Sequence, residues 1–146
     1  MQGGISGALF SSATCEWPTP QWLFDDLDDE FGFTLDPCST DLNAKCVKHF
    51  TLQEDGLAQT WKDEVVFMNP PYGRGVGIWM EKAYREACEG ATVVCLVPAR
   101  TDTAWWHDWA MRGEIRLFRG RIKFEGAINV APFPSALVIF RPLRIR

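Results

Sequence analysis

The stretch that most constrains this chain is Glu64-Val65-Val66-Phe67-Met68 followed by Asn69-Pro70-Pro71-Tyr72-Gly73. An apolar, β-branched run of this kind reads as a strand buried on both faces. Neither proline donates an N–H and each fixes its φ, so no sheet ladder continues past Asn69. The strand must stop there and hold a short rigid turn at its carboxyl end. In an open parallel α/β sheet, that edge is where ligands bind. A Pro-Pro turn that merely closes a strand leaves two residues unexplained, the hydrogen-bonding amide before the prolines and the stacking aromatic after them. We read residues 69–72 as a catalytic turn.

The rest of the chain supplies elements around that turn. A length of 146 residues allows one core. Residues 1–13 are small and Gly/Ser-rich, the composition of a flexible leader, which leaves 14–146 as the domain. Thr19-Pro20 predicts a helix N-cap and first-turn pair. An amphipathic helix follows, with Leu23, Phe24, Leu27 and Phe31 inward, Asp25, Asp26, Asp28 and Asp29 outward, and Gly32 as its end. Residues 33–38 alternate like a strand and break at Pro37, and residues 44–50 read as a short second strand. Only about a dozen residues then precede the 64–68 strand, too few for a full strand-and-helix unit, so the sheet is expected to be trimmed there.

Beyond the turn, Val76, Trp79, Met80, Ala83, Tyr84 and Ala87 mark one helix face, with Gly90 as the stop. Residues 92–97 form another continuous apolar strand, ending at Pro98-Ala99-Arg100-Thr101-Asp102-Thr103. Two successive strand–helix units predict a single compact α/β domain with a mostly parallel, doubly wound sheet. The polar cluster at the second strand end should then lie beside Asn69, with Arg100 and Asp102 placed to contact phosphate or orient the site. The alternative for Asp102 is a helix cap. On the short helix that follows, Trp105 and Trp109 share a face and Trp106 does not. One face is core, so at least one tryptophan, Trp106 by our reading, borders the substrate cleft. His107 reads as a satisfied surface histidine. Residues 114–119 and 120–124 alternate as a strand and a bend, 131–135 form a stiff loop, and 136–140 the last strand.

The net charge is −4, which argues against a nucleic-acid partner until it is divided along the chain. Residues 1–64 carry −9, residues 65–111 carry −1, and residues 112–146 carry +6. That asymmetry fits a basic surface in which Arg116, Arg119, Arg121 and Lys123, with Arg74 near the turn, are available to phosphates. The alternative is that these charges solvate alternating strand faces. No stretch approaches the roughly eighteen apolar residues of a membrane span and no signal peptide opens the chain, so a cytoplasmic protein is expected. Five cysteines without a CxxC spacing argue against a disulfide scaffold or a zinc knuckle, and Cys88 and Cys95, on apolar segments, are expected to be buried thiols. No metal site is expected.

Asn69-Pro70-Pro71-Tyr72 after a buried strand resembles the signature of amino-methyltransferases, which methylate an exocyclic or amide nitrogen using S-adenosylmethionine. The resemblance implies that the Asn69 side-chain oxygen and the Pro70 carbonyl accept the two N–H bonds of an adenine amino group, favouring the pyramidal geometry needed for attack. Pro71 completes the turn, and Tyr72 stacks on the flipped base. Thr19, at a Thr-Pro helix start, resembles a residue beside the methionine end of the donor. Asp36-Pro37-Cys38 resembles the first cofactor motif of these enzymes, whose acidic group engages the donor's amino-acid end. A turn aspartate is the plainer alternative for Asp36. The chain departs from that motif at Ser39-Thr40-Asp41-Leu42-Asn43, where a Gly-x-Gly turn is expected, so Asp41 and Asn43 are candidates to share its work. Asp55 matches the position that contacts the donor's adenine, with an Asp-Gly turn as its alternative.

Taken in order, Trp17-Pro18-Thr19-Pro20, Asp36-Pro37-Cys38, Asp55-Gly56-Leu57, Asn69–Gly73, residues 98–107, Gly120-Arg121-Ile122-Lys123-Phe124 and Pro132-Phe133-Pro134-Ser135 resemble the phage-type DNA N-6-adenine-methyltransferase (Dam) family. The likeness runs from Trp17 to Phe140. It implies a Rossmann-like class I methyltransferase domain, double-stranded DNA as substrate, the cytoplasm of a bacterial host, and modification of phage DNA against restriction. Little chain is left for a separate recognition domain, so DNA reading falls to residues 104–134 and loops or to a second subunit, which prompts the expectation of a homodimer. Three rivals stand beside it: a protein-amide methyltransferase, an RNA adenine methyltransferase, and a non-catalytic DNA-binding module of the same fold. The missing glycines are the best support for the last of these, and the enzyme is the reading we favour.

Overall fold

A computed structural model describes residues 17–143. The expected leader, residues 1–13, lies outside the described residues, as does Cys15. The elements in order are α1 (Gln21–Phe31), a 3-10 turn (Gly56–Ala58), β1 (Val65–Met68), α2 (Val76–Cys88), β2 (Thr92–Pro98), α3 (Ala104–Asp108), a second 3-10 turn (Ala110–Arg112), β3 (Glu114–Leu117) and β4 (Ser135–Phe140).

The four strands lie in the order β1-β2-β4-β3. β1 pairs parallel with β2, whereas β2–β4 and β3–β4 are antiparallel. The expected mostly parallel sheet is thus corrected to a mostly antiparallel one. The cause is a single strand. β1, β2 and β3 run the same way, and β4 returns through the 118–134 connection to insert, reversed, between β2 and β3. One reversed strand in that position turns two of the three ladders antiparallel.

The trimmed side of the sheet is shorter than the alternating sequence predicted. Residues 33–38 contribute one parallel bridge, Leu35 to Val66, and the expected strand over 44–50 shrinks to another, Asp36 to His49. A parallel strip therefore continues outward from β1 as single contacts. The chain between them is held by side-chain bonds together with a few backbone bonds, such as Ser39 N–H to the Phe50 carbonyl at 3.2 Å.

Side chains alternate across the sheet with period two, and both faces are covered, which is why the strands read as unbroken apolar runs. Val66, Met68, Val93, Cys95, Val97, Ala136 and Val138 point to one face, against Trp79, Met80 and Ala83 of α2 and against Trp61. Phe67, Val94, Leu96, Leu137 and Ile139 point to the other, against Leu23, Phe24 and Leu27 of α1 and against Ile122, Phe124 and Phe133. α1 ends as the sequence predicted, with Gly32 in the left-handed region at φ 68°. Its start differs: Pro20 is the N-cap residue and no side chain caps the helix, so Thr19 is free for another partner. At α3 the cap is Thr103, whose hydroxyl accepts from the Trp106 N–H, and not Asp102, which is exposed. Cys88 is exposed, contrary to expectation, because the last turn of α2 rotates it away from the sheet.

Candidate active site

β1 ends at Met68, and Asn69-Pro70-Pro71 leaves the sheet at the carboxyl edge it shares with β2. The Asn69 side chain is then fixed from far along the chain. Its Nδ2 donates to the Trp17 carbonyl at 2.7 Å and to Thr19 Oγ1 at 3.0 Å. A backbone carbonyl is only an acceptor, so the amide nitrogen must face Trp17 and the amide oxygen must face away. That oxygen, Asn69 Oδ1, is buried and has no hydrogen-bond partner. An unpartnered buried acceptor costs about 1–3 kcal/mol, and its natural remedy is a donor brought by a ligand.

Asn69 lines a cleft of about 450 Å3 whose walls include Pro18, Thr19, Gln21, Asp36, Cys38, Ser39, Asn43, Lys45, Phe67 and Glu125. A second unpartnered buried atom, Ser39 Oγ, belongs to the same wall. Thr19, Asp36 and Ser39 are each less than 5 % exposed. The loop from Asp36 to Lys45 is organised by the Asp36 carboxylate. Oδ1 accepts the Cys38 N–H at 3.3 Å and Oδ2 accepts the Lys45 N–H at 2.9 Å. Burial raises the Asp36 pKa above the ordinary carboxylate value, and these two backbone donors work against that rise. Asn43 Oδ1 accepts the Thr40 N–H at 2.7 Å, and Thr40 Oγ1 accepts the Asn43 N–H at 3.2 Å.

The other cofactor candidates divide. Pro37 and Cys38 lie in the buried part of this loop, and burial pushes the Cys38 thiol well above its usual value, so it stays neutral. Asp41 is exposed and pairs with His49 Nε2 at 2.8 Å, off the cleft wall. Asp55 does not line the cleft either. It adopts φ 57°, and its carboxylate accepts the Leu57 N–H at 3.2 Å, capping the 3-10 turn. That turn buttresses the 36–45 loop. A Cβ on Gly56 would stand 2.1 Å from the Pro37 carbonyl oxygen, and the Trp61 indole N–H donates to the Gly56 carbonyl at 3.0 Å.

Tyr72 packs edge-on to Phe133 at 5.6 Å and to Phe124 at 6.3 Å between ring centroids, and its hydroxyl donates to the Leu96 carbonyl at 3.2 Å. Burial raises its phenol pKa, so the hydroxyl remains a donor. Trp17 meets the same Phe133 edge-on at 5.0 Å. Arg100 is exposed, with its guanidinium 5.6 Å from the Phe133 ring centre, which puts a cation beside this aromatic group. Arg74, Asp102, Arg119, Arg121 and Lys123 are all exposed. Trp106 is not: it is 3 % exposed and packed in the core against α2. Trp105 and Trp109, half-buried, pack against the same core. Arg116 is committed as well, its guanidinium bidentate to Glu30 at 2.7 and 2.8 Å and its Nε bonded to Glu114 at 2.7 Å.

Among the wall residues missed by the sequence reading are Gln21, Lys45 and Glu125. Gln21 sits in a helix read for its apolar face, and Lys45 in a segment read as a strand. Glu125 enters because its N–H donates to the Pro18 carbonyl at 3.0 Å, a contact across more than a hundred residues that no local pattern carries.

Residues 34 % identical over 64 positions relate the chain to the "Putative methyltransferase YfdM" of Escherichia coli (strain K12), covering 39 % of this chain and 70 % of that protein. Residues 8–145 match the family described as DNA N-6-adenine-methyltransferase (Dam). With that match spanning nearly its whole length, the chain belongs to the DNA N-6-adenine-methyltransferase (Dam) family.

Proposed function

We propose that this protein transfers a methyl group from S-adenosylmethionine to the exocyclic N6 of an adenine flipped out of double-stranded DNA. The observation that carries the reading is Asn69: an amide whose nitrogen is pinned by Trp17 and Thr19 and whose buried oxygen is left without a donor at the cleft. The cleft suits an amino-acid-bearing nucleoside in its donor set, since its walls combine the unpartnered Ser39 hydroxyl, a buried carboxylate and one lysine. When bound, the donor supplies an electrophilic sulfonium methyl.

The chain's own work is positioning and electrostatics. Asn69 Oδ1, with the Pro70 carbonyl as second acceptor, takes the two N–H bonds of the adenine amino group. This draws the nitrogen lone pair out of ring conjugation and toward the methyl. The new N–C bond forms as the S–C bond breaks, leaving S-adenosylhomocysteine, and the amino group gives up one proton to solvent. No side chain with a tuned pKa is required. Tyr72, steadied by its bond to Leu96 and by Phe133, provides the stacking surface for the displaced base. Arg74, Arg100, Arg119, Arg121 and Lys123 supply exposed positive charge for the phosphate backbone, with Asp102 beside Arg100 at the edge.

Labelled S-adenosylmethionine incubated with unmethylated duplex DNA tests the reading, with digestion of the product to nucleosides. Label in N6-methyladenine is the expected result. Label appearing only when RNA or protein is offered would replace the substrate, and binding of DNA without binding of the donor would remove the enzymatic reading.

A further inference from the structure

An anionic ligand group needs hydrogen-bond donors or a counter-charge when it leaves water. In a glycine-rich cofactor turn, those donors are free backbone N–H groups. Here the 36–45 loop spends many of its N–H groups on itself. Those of Cys38 and Lys45 go to Asp36, that of Ser39 goes to the Phe50 carbonyl at 3.2 Å, and those of Thr40 and Asn43 go to each other's side chains. Several residues of the loop line the cleft, Ser39 and Lys45 among them.

Among the described residues that line the cleft, Lys45 is the one cation, opposed by Asp36 and Glu125. Its ammonium is held in place: Nζ donates to Gln21 Oε1 at 2.8 Å. The Gln21 amide nitrogen in turn donates to Asp25 Oδ1 at 2.8 Å, which turns the Gln21 oxygen toward Lys45. Gln21 is the first residue of α1, so the positive end of that helix dipole stands on the same wall. An ammonium with one neutral partner retains two N–H donors. Ser39 Oγ, buried without a partner, adds another donor to that wall.

We propose that Lys45 is the counter-charge for the α-carboxylate of the methyl donor, and that the Ser39 hydroxyl hydrogen-bonds the same amino-acid end. The pair does by side chain what a glycine turn does by backbone. This inference rests on the cleft being the donor site. It also explains why the loop tolerates Ser39-Thr40-Asp41-Leu42-Asn43 where glycines would otherwise stand.

The test is titration calorimetry of the full chain with S-adenosylmethionine and with its decarboxylated form, for wild type, Lys45→Met and Ser39→Ala. Lys45 clamps the loop through its backbone N–H, so Lys45→Met leaves the Asp36 bond in place; a melting curve checks that the variant is folded. Wild type should prefer the carboxylated donor. Lys45→Met should weaken S-adenosylmethionine about tenfold and leave the decarboxylated form unchanged, so that the preference collapses. Ser39→Ala should weaken both ligands if its hydroxyl meets the ammonium, and only the carboxylated one if it meets the carboxylate. A folded Lys45→Met that keeps the wild-type preference overturns the role of Lys45 while leaving the donor site intact. An unchanged Ser39→Ala does the same for Ser39. Failure of wild type to bind either ligand removes the donor site itself and the inference with it.

Discussion

Replacing Thr19 by valine keeps the shape of the side chain and deletes one hydroxyl. The structure says what that hydroxyl does: it accepts from Asn69 Nδ2 at 3.0 Å, beside the 2.7 Å bond to the Trp17 carbonyl. In wild type, a reversed Asn69 amide forfeits the Trp17 bond and sets its oxygen against the Trp17 oxygen, whereas the Thr19 hydroxyl can donate to the reversed oxygen as readily as it accepts from the nitrogen. At a net value near 1 kcal/mol each, the two bonds anchor the side chain by about 2 kcal/mol, and the Trp17 carbonyl sets which way the amide faces. Thr19→Val halves this and leaves one buried N–H unpaired. The expected cost is about 1.4 kcal/mol in the transition state, a roughly tenfold fall in kcat, with 1–2 kcal/mol lost from folding stability. Single-turnover methyl transfer and thermal melting measure the two, while calorimetry shows whether donor affinity has moved. Thr19→Ser, which restores the acceptor, should recover most of the rate. A Thr19→Val enzyme with the wild-type kcat would refute the anchoring role. A loss confined to donor affinity would move Thr19 to the cofactor.

Gly56→Ala would push a methyl group to 2.1 Å from the Pro37 carbonyl oxygen, so it should cost roughly 1–3 kcal/mol and lower the melting temperature by several degrees; an unchanged melt would show that the 3-10 turn does not brace the 36–45 loop. Changing Arg119, Arg121 and Lys123 together to glutamine should weaken DNA binding about equally for all sequences and flatten the salt slope by about 3, at about 0.9 per phosphate contact. An unaltered slope would take these residues off the DNA surface. For pH, Glu30 is held below its usual range by Arg116, and Glu114 by Arg141 and Arg116. Glu64 is also lowered: burial opposes this, but bonds from Lys48 and Thr34 outweigh it. Folded values below the unfolded 4.5 mean that this stability is present above pH 4.5 and is lost as pH falls through the folded values. Asp36 runs the other way, since burial raises it and its protonation on acidification favours the folded state. Melting temperature should therefore change little from neutral pH down to about pH 5 and drop below that; a protein that stabilises steadily toward pH 3 would contradict this balance.

What could be read from the sequence was what is decided locally. The β1 strand and its stop at Asn69 follow from a β-branched run meeting two prolines. α2 follows from apolar residues at helical spacing, and both took the predicted places. What could not be read depends on distant partners. Thr19 looks like a cap because Ser, Thr, Asp and Asn cap helices, but its hydroxyl meets Asn69, fifty residues on, and the helix starts without it. Trp106 was assigned to the cleft by sharing out helix faces. The short α3 instead turns it into the core, and a five-residue helix is too brief for periodicity to decide which face is inward. The sheet was read as mostly parallel because consecutive strand–helix units determine strand direction and not strand order; β4 between β2 and β3 is a topological fact with no local signature. Residues 44–50 read as a strand, yet the Asp36 carboxylate captures the Lys45 N–H, Ala44 and Lys45 line the cleft, and only the Asp36–His49 bridge is left of the strand.

The central claim is that the Asn69 amide oxygen accepts the hydrogen bonds of the methylated amino group. The most direct measurement is the single-turnover rate of N6-methyladenine formation by Asn69→Ala, with donor and DNA both saturating. The account predicts normal binding of both ligands and a rate lowered by roughly a hundredfold to a thousandfold, the usual loss when one preorganised group is removed from the transition state. An Asn69→Ala enzyme that methylates adenine at the wild-type rate would contradict it.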